Sequence, residues 1–111
     1  MKKPKKIDLL QGTLELLILR MLQSDPAHGW DLMQRMQIVS KEAVRLTPGS
    51  LYPALHKLEA RGLIASEWGA SEKNRKAKFY KITAAGRRQL DAERKAWERF
   101  SGAIDLILRD A

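Results

Sequence analysis

Between positions 47 and 62 the chain reads TPGSLYPALHKLEARG, a stretch that contains the start, the buried face and the end of one helix. We predict that Thr47 caps this helix, because Pro48 then takes the first helical position, where its missing N–H costs nothing. The alternative cap is Ser50, which would put Pro53 inside the first turn instead of beyond it. Gly62 ends the helix, since glycine adopts the left-handed conformation of a helix C-terminus without strain. The buried face has helical spacing and comprises Leu51, Ala54, Leu55 and Leu58.

Two further helices are predicted before this one. Apolar residues between positions 7 and 23 recur every three or four residues, and Pro26 lies where that helix must end. A second helix is predicted from His28 to Val39, and the short connection places it at a sharp angle beside the first. Its inward face comprises Leu32, Met33, Met36, Val39 and part of Trp30. The linker that follows includes Ala43 to Leu46, a candidate for a short strand.

A hairpin and a long helix follow the helix at 47–62. Residues 63–68 and 77–82 are rich in β-branched and aromatic side chains and are predicted to be strands. We call the hairpin that they form, residues 63–82, the wing, and we expect Gly69 and Asn74 to supply its turn conformations. Thr83 is predicted to cap a helix over residues 84–109, which Gly86 weakens only slightly.

The composition indicates a polyanionic partner. The 111 residues include 21 Lys and Arg against 13 Asp and Glu, a formal charge of +8. A basic field of this size attracts nucleic acid or an acidic membrane surface. The densest apolar run, Leu14 to Leu22, contains Glu15 and Arg20 and is too short to span a bilayer. We therefore expect a soluble, cytoplasmic protein with no membrane partner.

The motifs of catalytic and metal sites are missing from the sequence. There is no cysteine, which excludes disulfides, cysteine-ligated zinc and thiol nucleophiles. The two histidines, His28 and His56, belong to no metal-ligand pattern, and the seven glycines form no phosphate-binding loop. Gly49-Ser50 opens a helix with no long strand before it, so it is not a nucleophile elbow. We predict a protein that is not an enzyme, with no catalytic residues, no cofactor and no metal.

Three clusters of basic and polar residues can meet one nucleic acid in a fold of this kind. In the wing, residues 71–78 carry four cations against one acid, and such a turn pairs with phosphates. The exposed side of the helix at 47–62 would read base edges in the major groove, although Tyr52 is also a candidate core aromatic. The third cluster is an N-terminal arm with four lysines, for which a solvated tail is the alternative. The predicted DNA-binding residues are Ser50, Tyr52, His56 and Lys57 in the helix and Lys73, Arg75, Lys76 and Lys78 in the wing.

The C-terminal helix has apolar residues at coiled-coil spacing and is too long for the preceding domain to cover. A stripe with large aromatics and no partner in its own chain requires a second chain, which predicts a homodimer. The alternative is that this helix folds back onto the first helix of the same chain. The predicted interface comprises Leu90, Trp97, Phe100, Ile104, Ile107 and Leu108.

Together these elements predict a fold that is mainly α with a small β-hairpin: a winged helix-turn-helix followed by a long C-terminal dimerisation helix. We divide the chain into a basic N-terminal arm (1–6), a winged helix-turn-helix DNA-binding domain (7–83) and a C-terminal dimerisation helix (84–111). A two-fold dimer of this kind would match a palindromic site.

Three stretches of the chain resemble the PadR family of bacterial transcriptional regulators. They are TPGSLYPALHKLEARGLI at 47–64, DPAHGW at 25–30 and NRKAKFYKITAAG at 74–86, and the single C-terminal helix is similar to that of the short-tailed subgroup. The resemblance implies a dimeric repressor that binds double-stranded DNA and releases its operator when a small-molecule inducer or stress signal arrives. It also implies DNA contact by the helix and wing residues named above. Some members bind flat aromatic compounds between the paired last helices, which makes Trp97 a candidate ligand-binding residue, with plain dimer core as the alternative.

Two hypotheses about function follow. The first is sequence-specific binding of duplex DNA by a homodimer that regulates transcription. The alternative is a winged-helix interaction module whose basic face docks an acidic protein. The net charge and the basic wing favour the first.

Overall fold

The computed structural model describes the backbone of residues 6–111 and the side chains of residues 12–111. The elements in chain order are α1 (Lys6–Ser24), β1 (Ala27–His28), α2 (Gly29–Val39), α3 (Pro48–Ala60), β2 (Ile64–Ala70), β3 (Lys76–Ile82) and α4 (Ala84–Asp110). The predicted basic arm lies outside the described residues, apart from Lys6, where α1 begins. Each predicted helix is therefore present, with ends that differ from the predictions by one or two residues.

The three strands form one antiparallel sheet in the order β1-β3-β2. The strands of the wing pair from Ile64 opposite Ile82 to Ala70 opposite Lys76. The third strand, β1, pairs Ala27 with Tyr80. The sheet therefore takes its third strand from the connection between α1 and α2.

The predicted strand over Ala43 to Leu46 is wrong. The chain turns just before this stretch, where Lys41 and Glu42 have left-handed φ values of 52° and 72°, and residues 43–46 form no strand. The amide of Val44 donates to the Ser40 hydroxyl at 2.9 Å, so the linker satisfies this donor locally instead of through a strand partner. Strand β3 is central in the sheet and pairs with β1 and β2, so it has no free edge for a strand at residues 43–46.

Helices α1 to α4 and the inner end of the sheet contribute to one hydrophobic core. The fully buried large side chains are Ile18, Leu19, Leu32, Leu51, Leu55, Leu58, Ile64 and Leu90. On α2, Leu32 and Met36 are buried as predicted, but Trp30 and Val39 are exposed. Trp30 projects from the opposite side of the helix, about 200° around the axis from Leu32, and Val39 is its last residue.

Threonine caps and glycines set the boundaries of α3 and α4. The predicted Thr47 cap is confirmed, since its hydroxyl accepts a hydrogen bond from the Ser50 amide at 3.2 Å. The Thr83 hydroxyl accepts from the Gly86 amide at 3.0 Å and donates to the Gly62 carbonyl at 2.7 Å. This one side chain therefore ties the start of α4 to the end of α3.

The turn of the wing differs from the prediction at one of its two expected positions. Asn74 supplies a left-handed residue with φ of 57°, as predicted. Gly69 lies inside β2 instead, where a Cβ would be 3.1 Å from the Phe79 ring. Its role is to leave room for that ring, because a side chain at this point of the strand would displace the Phe79 side chain.

Candidate nucleic-acid interface

The tip of the wing is a closed turn between Ser71 and Arg75. The Ser71 amide donates to the Arg75 carbonyl at 2.8 Å, and the Asn74 amide donates to the Ser71 carbonyl at 2.8 Å. The Arg75 amide donates in turn to the Ser71 hydroxyl at 3.3 Å. These bonds fix the backbone of the turn, while the side chains of Lys73, Arg75 and Lys76 are exposed.

One face of the wing runs from the core out to the groove beside α3. Residues directly opposite each other in an antiparallel pair share a face, so Ile64, Ile82 and Tyr80 lie on the side that is buried in the core. Further out, Trp68 opposite Lys78 continues that same side. The outer half of this face, toward the tip of the wing, therefore faces α3 but lies beyond the buried core.

A groove of about 750 Å³ separates the wing from α3 and the start of α2. It brings together six of the eight predicted DNA-binding residues: Tyr52, His56, Lys73, Arg75, Lys76 and Lys78. Cations lie on the wing side, and a tyrosine and a histidine that can bind phosphates or bases lie on the helix side. The groove therefore has the charge and the hydrogen-bonding groups to bind one strand of a nucleic acid.

The other two predicted residues, Ser50 and Lys57, lie on the opposite flank of α3. They line a second groove of about 560 Å³ that α3 forms with α1 and with the linker at residues 43–46. Both side chains are exposed. The exposed side of α3 thus has the wing groove on one flank and these two residues on the other.

Glu59 links α3 to both strands of the wing. The Ser66 hydroxyl of β2 donates to Glu59 Oε2, and Lys78 Nζ of β3 lies 3.7 Å from Glu59 Oε1. Lys78 also lies over the Tyr80 ring, 5.8 Å from its centroid. Lys78 therefore helps to hold the wing in place, unlike the exposed cations at the tip.

Tyr80 lies next to the salt bridge between Lys78 and Glu59, on the side nearer the core. Burial raises the pKa of its hydroxyl above the usual value of 10.0, and the charges of Glu59 and Tyr52 raise that pKa further. Loss of the proton would create a buried anion beside a carboxylate, so the neutral phenol is favoured in the folded protein.

Tyr52 is both packed and accessible. A Cβ at Gly29 would overlap the Tyr52 hydroxyl and would lie 2.8 Å from its Cζ, so the absence of a side chain there allows the ring to approach α2. The side chain nevertheless remains 39% exposed and lines the wing groove. The sequence left two interpretations of Tyr52, a core aromatic and a DNA contact. The structure is compatible with both, because the ring packs on α2 while part of it lines the groove.

Two tryptophans in the wing groove are absent from the predicted site. Trp30 at the start of α2 and Trp68 in β2 are each 62% exposed and both line the groove. Lys76 Nζ lies 5.1 Å from the centroid of the Trp68 ring, within the range of a cation–π contact. Strand alternation is the signal that could have identified Trp68, since it lies four residues from Ile64 and so on the core-facing side of β2.

The predicted interface residues of α4 fall into two groups. Leu90 is 1% exposed and packs in the core of its own chain, so it has almost no surface to offer a partner. The distal residues are exposed: Trp97, Phe100, Ile104, Ile107 and Leu108. The Trp97 and Phe100 ring centroids are 6.2 Å apart. The first turns of α4 therefore pack on the chain's own core, while its distal half is uncovered and the homodimer stays a prediction.

Within residues 12–111, no group of three or more histidine, cysteine and acidic residues is placed to hold a metal ion. Among the helices that the structure describes, none is long and apolar enough to cross a membrane.

A helix with an exposed polar side, next to a basic wing and packed on a mainly helical core, defines a winged helix-turn-helix regulator. The model of the transcriptional regulator PadR-like family matches residues 18–92, and the chain belongs to this family. It is therefore a DNA-binding regulator of transcription. Its relatives in family and fold are transcriptional regulators, a class of proteins that are generally not enzymes.

Individual relatives agree with this assignment over nearly the whole chain. A transcriptional regulator of Mycobacterium tuberculosis is 36% identical over 94 residues, which cover 85% of this chain and 84% of that protein. The solved structure of a transcriptional regulator from Clostridium thermocellum has a TM-score of 0.81 and 26% identity, covering 88% of this chain and 95% of that one. A PadR-like transcriptional regulator from Bacillus cereus has a TM-score of 0.79 and 28% identity, with coverage of 94% and 99%.

Proposed function

We propose that this chain is a homodimeric repressor that binds a palindromic operator through α3 and the wing. The observation that carries the proposal is the wing groove, where six predicted DNA-binding residues from α3 and the wing line one surface. In the proposed complex the exposed side of α3 lies in the major groove, with His56 and Tyr52 on the wing flank and Ser50 and Lys57 on the other. The wing cations pair with phosphates of the adjacent strand.

The distal half of α4 supports a homodimer. Its exposed apolar residues form a stripe of the kind that soluble proteins cover with a partner. Regulators of this family bind DNA and typically function as dimers. Two α3 helices related by a two-fold axis would read two half-sites about one helical turn apart, which is why we propose a palindromic operator.

Release by a small molecule completes the proposal. The exposed Trp97 ring and its neighbour Phe100 lie on the proposed dimer stripe. A planar aromatic inducer bound between two such pairs would alter the packing of the α4 helices and hence the spacing of the two α3 helices. The resemblance of the sequence to PadR repressors supports this assignment of Trp97 and of the repressor role.

Selection of bound sites from a random duplex library tests the proposal. The expected result is an enriched inverted repeat that the full chain binds with strong salt dependence. Contacts to about 6–10 phosphates should lower affinity by about 10³–10⁵ between 50 and 200 mM salt. A library that stays unenriched would contradict operator binding, and it is the result expected if the basic face docks an acidic protein instead. A reporter gene placed behind the selected site then tests repression, since expression should fall when the protein is supplied.

A further inference from the structure

Trp68 is a large apolar side chain on the wing that the proposed DNA contacts do not use. It lies on the side of β2 that faces α3, beyond the point where the core ends, and 62% of it is exposed. Trp30, which is also 62% exposed, lines the same groove, so the two rings form an apolar patch and not a single scattered residue. The position of this patch therefore indicates an occupant of the wing groove.

The surroundings of Trp68 define the chemistry of that occupant. Lys76 lies diagonally across the hairpin from Trp68, and its Nζ is held 5.1 Å from the centroid of the Trp68 ring. Arg75 and Lys73 line the same wall of the groove. An apolar ring next to several cations fits a ligand that has a hydrophobic part beside negative charges.

A strand of DNA has both parts. Each nucleotide places an apolar deoxyribose face beside a phosphate, and in the proposed complex the wing cations pair with the phosphates of one strand. We infer that the Trp68 ring packs against a deoxyribose of the strand that passes between the wing and α3, while Lys76, held over the same ring, pairs with the neighbouring phosphate. The inference rests on the proposed DNA binding and adds to it an apolar backbone contact.

A purely supporting role for Trp68 makes different predictions. If the ring only holds Lys76 in place, its removal should have the same effect as removal of the Lys76 charge. An apolar sugar contact releases no counterions, so its loss should lower affinity without changing the salt dependence. Such a contact reads no base sequence, so the loss should be the same on every duplex.

The test compares variants of the full chain by fluorescence anisotropy titration at several salt concentrations. The probes are the labelled duplex recovered from the site selection and a scrambled duplex of equal length and composition. Trp68→Ala should weaken binding to both duplexes about tenfold per protomer, the loss expected for one buried apolar contact, with the slope of log affinity against log salt unchanged. Lys76→Ala should lower that slope by about 1 per protomer. Trp68→Phe, which keeps an aromatic face, should retain most of the affinity.

Ile38→Ala is the matched control, because Ile38 is 74% exposed and lies outside the residues that line the groove. It should bind both duplexes as the wild type does. Tryptophan fluorescence gives a further readout. The emission of Trp68 is the difference between the wild type and Trp68→Phe, and this difference should change when duplex is added.

Three results would overturn the inference. One is Trp68→Ala binding within twofold of the wild type, and another is Trp68 emission that duplex leaves unchanged. The third is a Trp68→Ala slope that matches that of Lys76→Ala, with a double variant no weaker than either. A wild-type chain that binds neither duplex would overturn the proposed function itself, which distinguishes the two failures.

Discussion

Gly86 lies in the first turn of α4, against the backbone at the end of α3. A Cβ at this position would overlap the Leu63 carbonyl oxygen and lie 2.7 Å from Ile82 Cγ1. Helix propensity alone favours alanine over glycine by about 1 kcal/mol. Because a backbone carbonyl cannot move aside cheaply, we expect Gly86→Ala to lower the free energy of unfolding by about 1–3 kcal/mol. Urea unfolding followed by circular dichroism measures this change.

Gly102 provides the control for Gly86, since it lies in the same helix with no atom within 4 Å of an added Cβ. Gly102→Ala should therefore raise the free energy of unfolding by about 0.5–1 kcal/mol, as propensity dictates. If both substitutions stabilise the protein, the contact at Leu63 is not a steric limit.

Arg75 tests the wing as a phosphate-binding element. Its backbone closes the turn, and these bonds survive truncation of the side chain. Arg75→Ala should weaken binding to all duplexes alike and lower the salt slope by about 1 per protomer. Lys81→Ala is the matched control, since Lys81 pairs with Ala65 on the other face of the wing and does not line the groove. Equal slopes for the wild type and Arg75→Ala would mean that the wing tip does not meet phosphate.

At the scale of elements, local signals predicted the helices but not the third strand. Thr47 with Pro48 specifies the start of α3 through bonds within four residues, so the sequence alone predicts it. The strand β1 has two residues, too few to show alternation, and it exists because Ala27 meets Tyr80 across the sheet. Val44 and Leu46 do pack against the core, which explains why their apolar pattern resembles a strand.

Tyr80 makes the free energy of unfolding depend on pH in the alkaline range. Its pKa is raised in the folded protein by burial, by Glu59 and by Tyr52, so the unfolded chain loses this proton first as pH rises. The stabilisation that this pKa difference gives the folded protein is complete below the ordinary tyrosine pKa. It is lost as the pH rises through the raised pKa of Tyr80 in the folded protein. We expect the free energy of unfolding to fall more between about pH 9 and pH 11 in the wild type than in Tyr80→Phe. Urea unfolding of both proteins at each pH checks this, and equal losses would contradict it.

At the scale of the whole molecule, element order predicts that the wing cations lie beside Tyr52 and His56, but it does not predict that Lys57 lies on the other flank of α3. The wing cations and two residues of α3 share a groove because the hairpin follows α3 directly in the chain. Individual side-chain contacts could not be predicted from the sequence, because they depend on packing between elements that are distant in sequence. The contact of Gly29 with Tyr52 and the salt bridge of Lys78 with Glu59 are examples. The burial of Leu90 likewise depends on how far the core extends along α4, which helical periodicity cannot show.

The distal half of α4 carries the last prediction, which concerns assembly. Ile104 lies on the stripe with Trp97 and Phe100, three to seven residues apart and hence on one side of the helix. Ile104→Glu would place a carboxylate in the proposed dimer interface, where an uncompensated charge costs about 3–5 kcal/mol. We expect monomers by sedimentation velocity and a parallel loss of operator affinity, because one protomer can bind only one half-site.

Leu106→Glu is the control for Ile104→Glu. Leu106 is also an exposed apolar residue of α4, but it lies about 200° around the helix axis from Ile104. This variant should sediment as a dimer and bind the operator as the wild type does. Dimers of Ile104→Glu would contradict the proposed interface. Monomers that keep full operator affinity would separate DNA binding from assembly, since a single wing and α3 would then provide all of the binding energy.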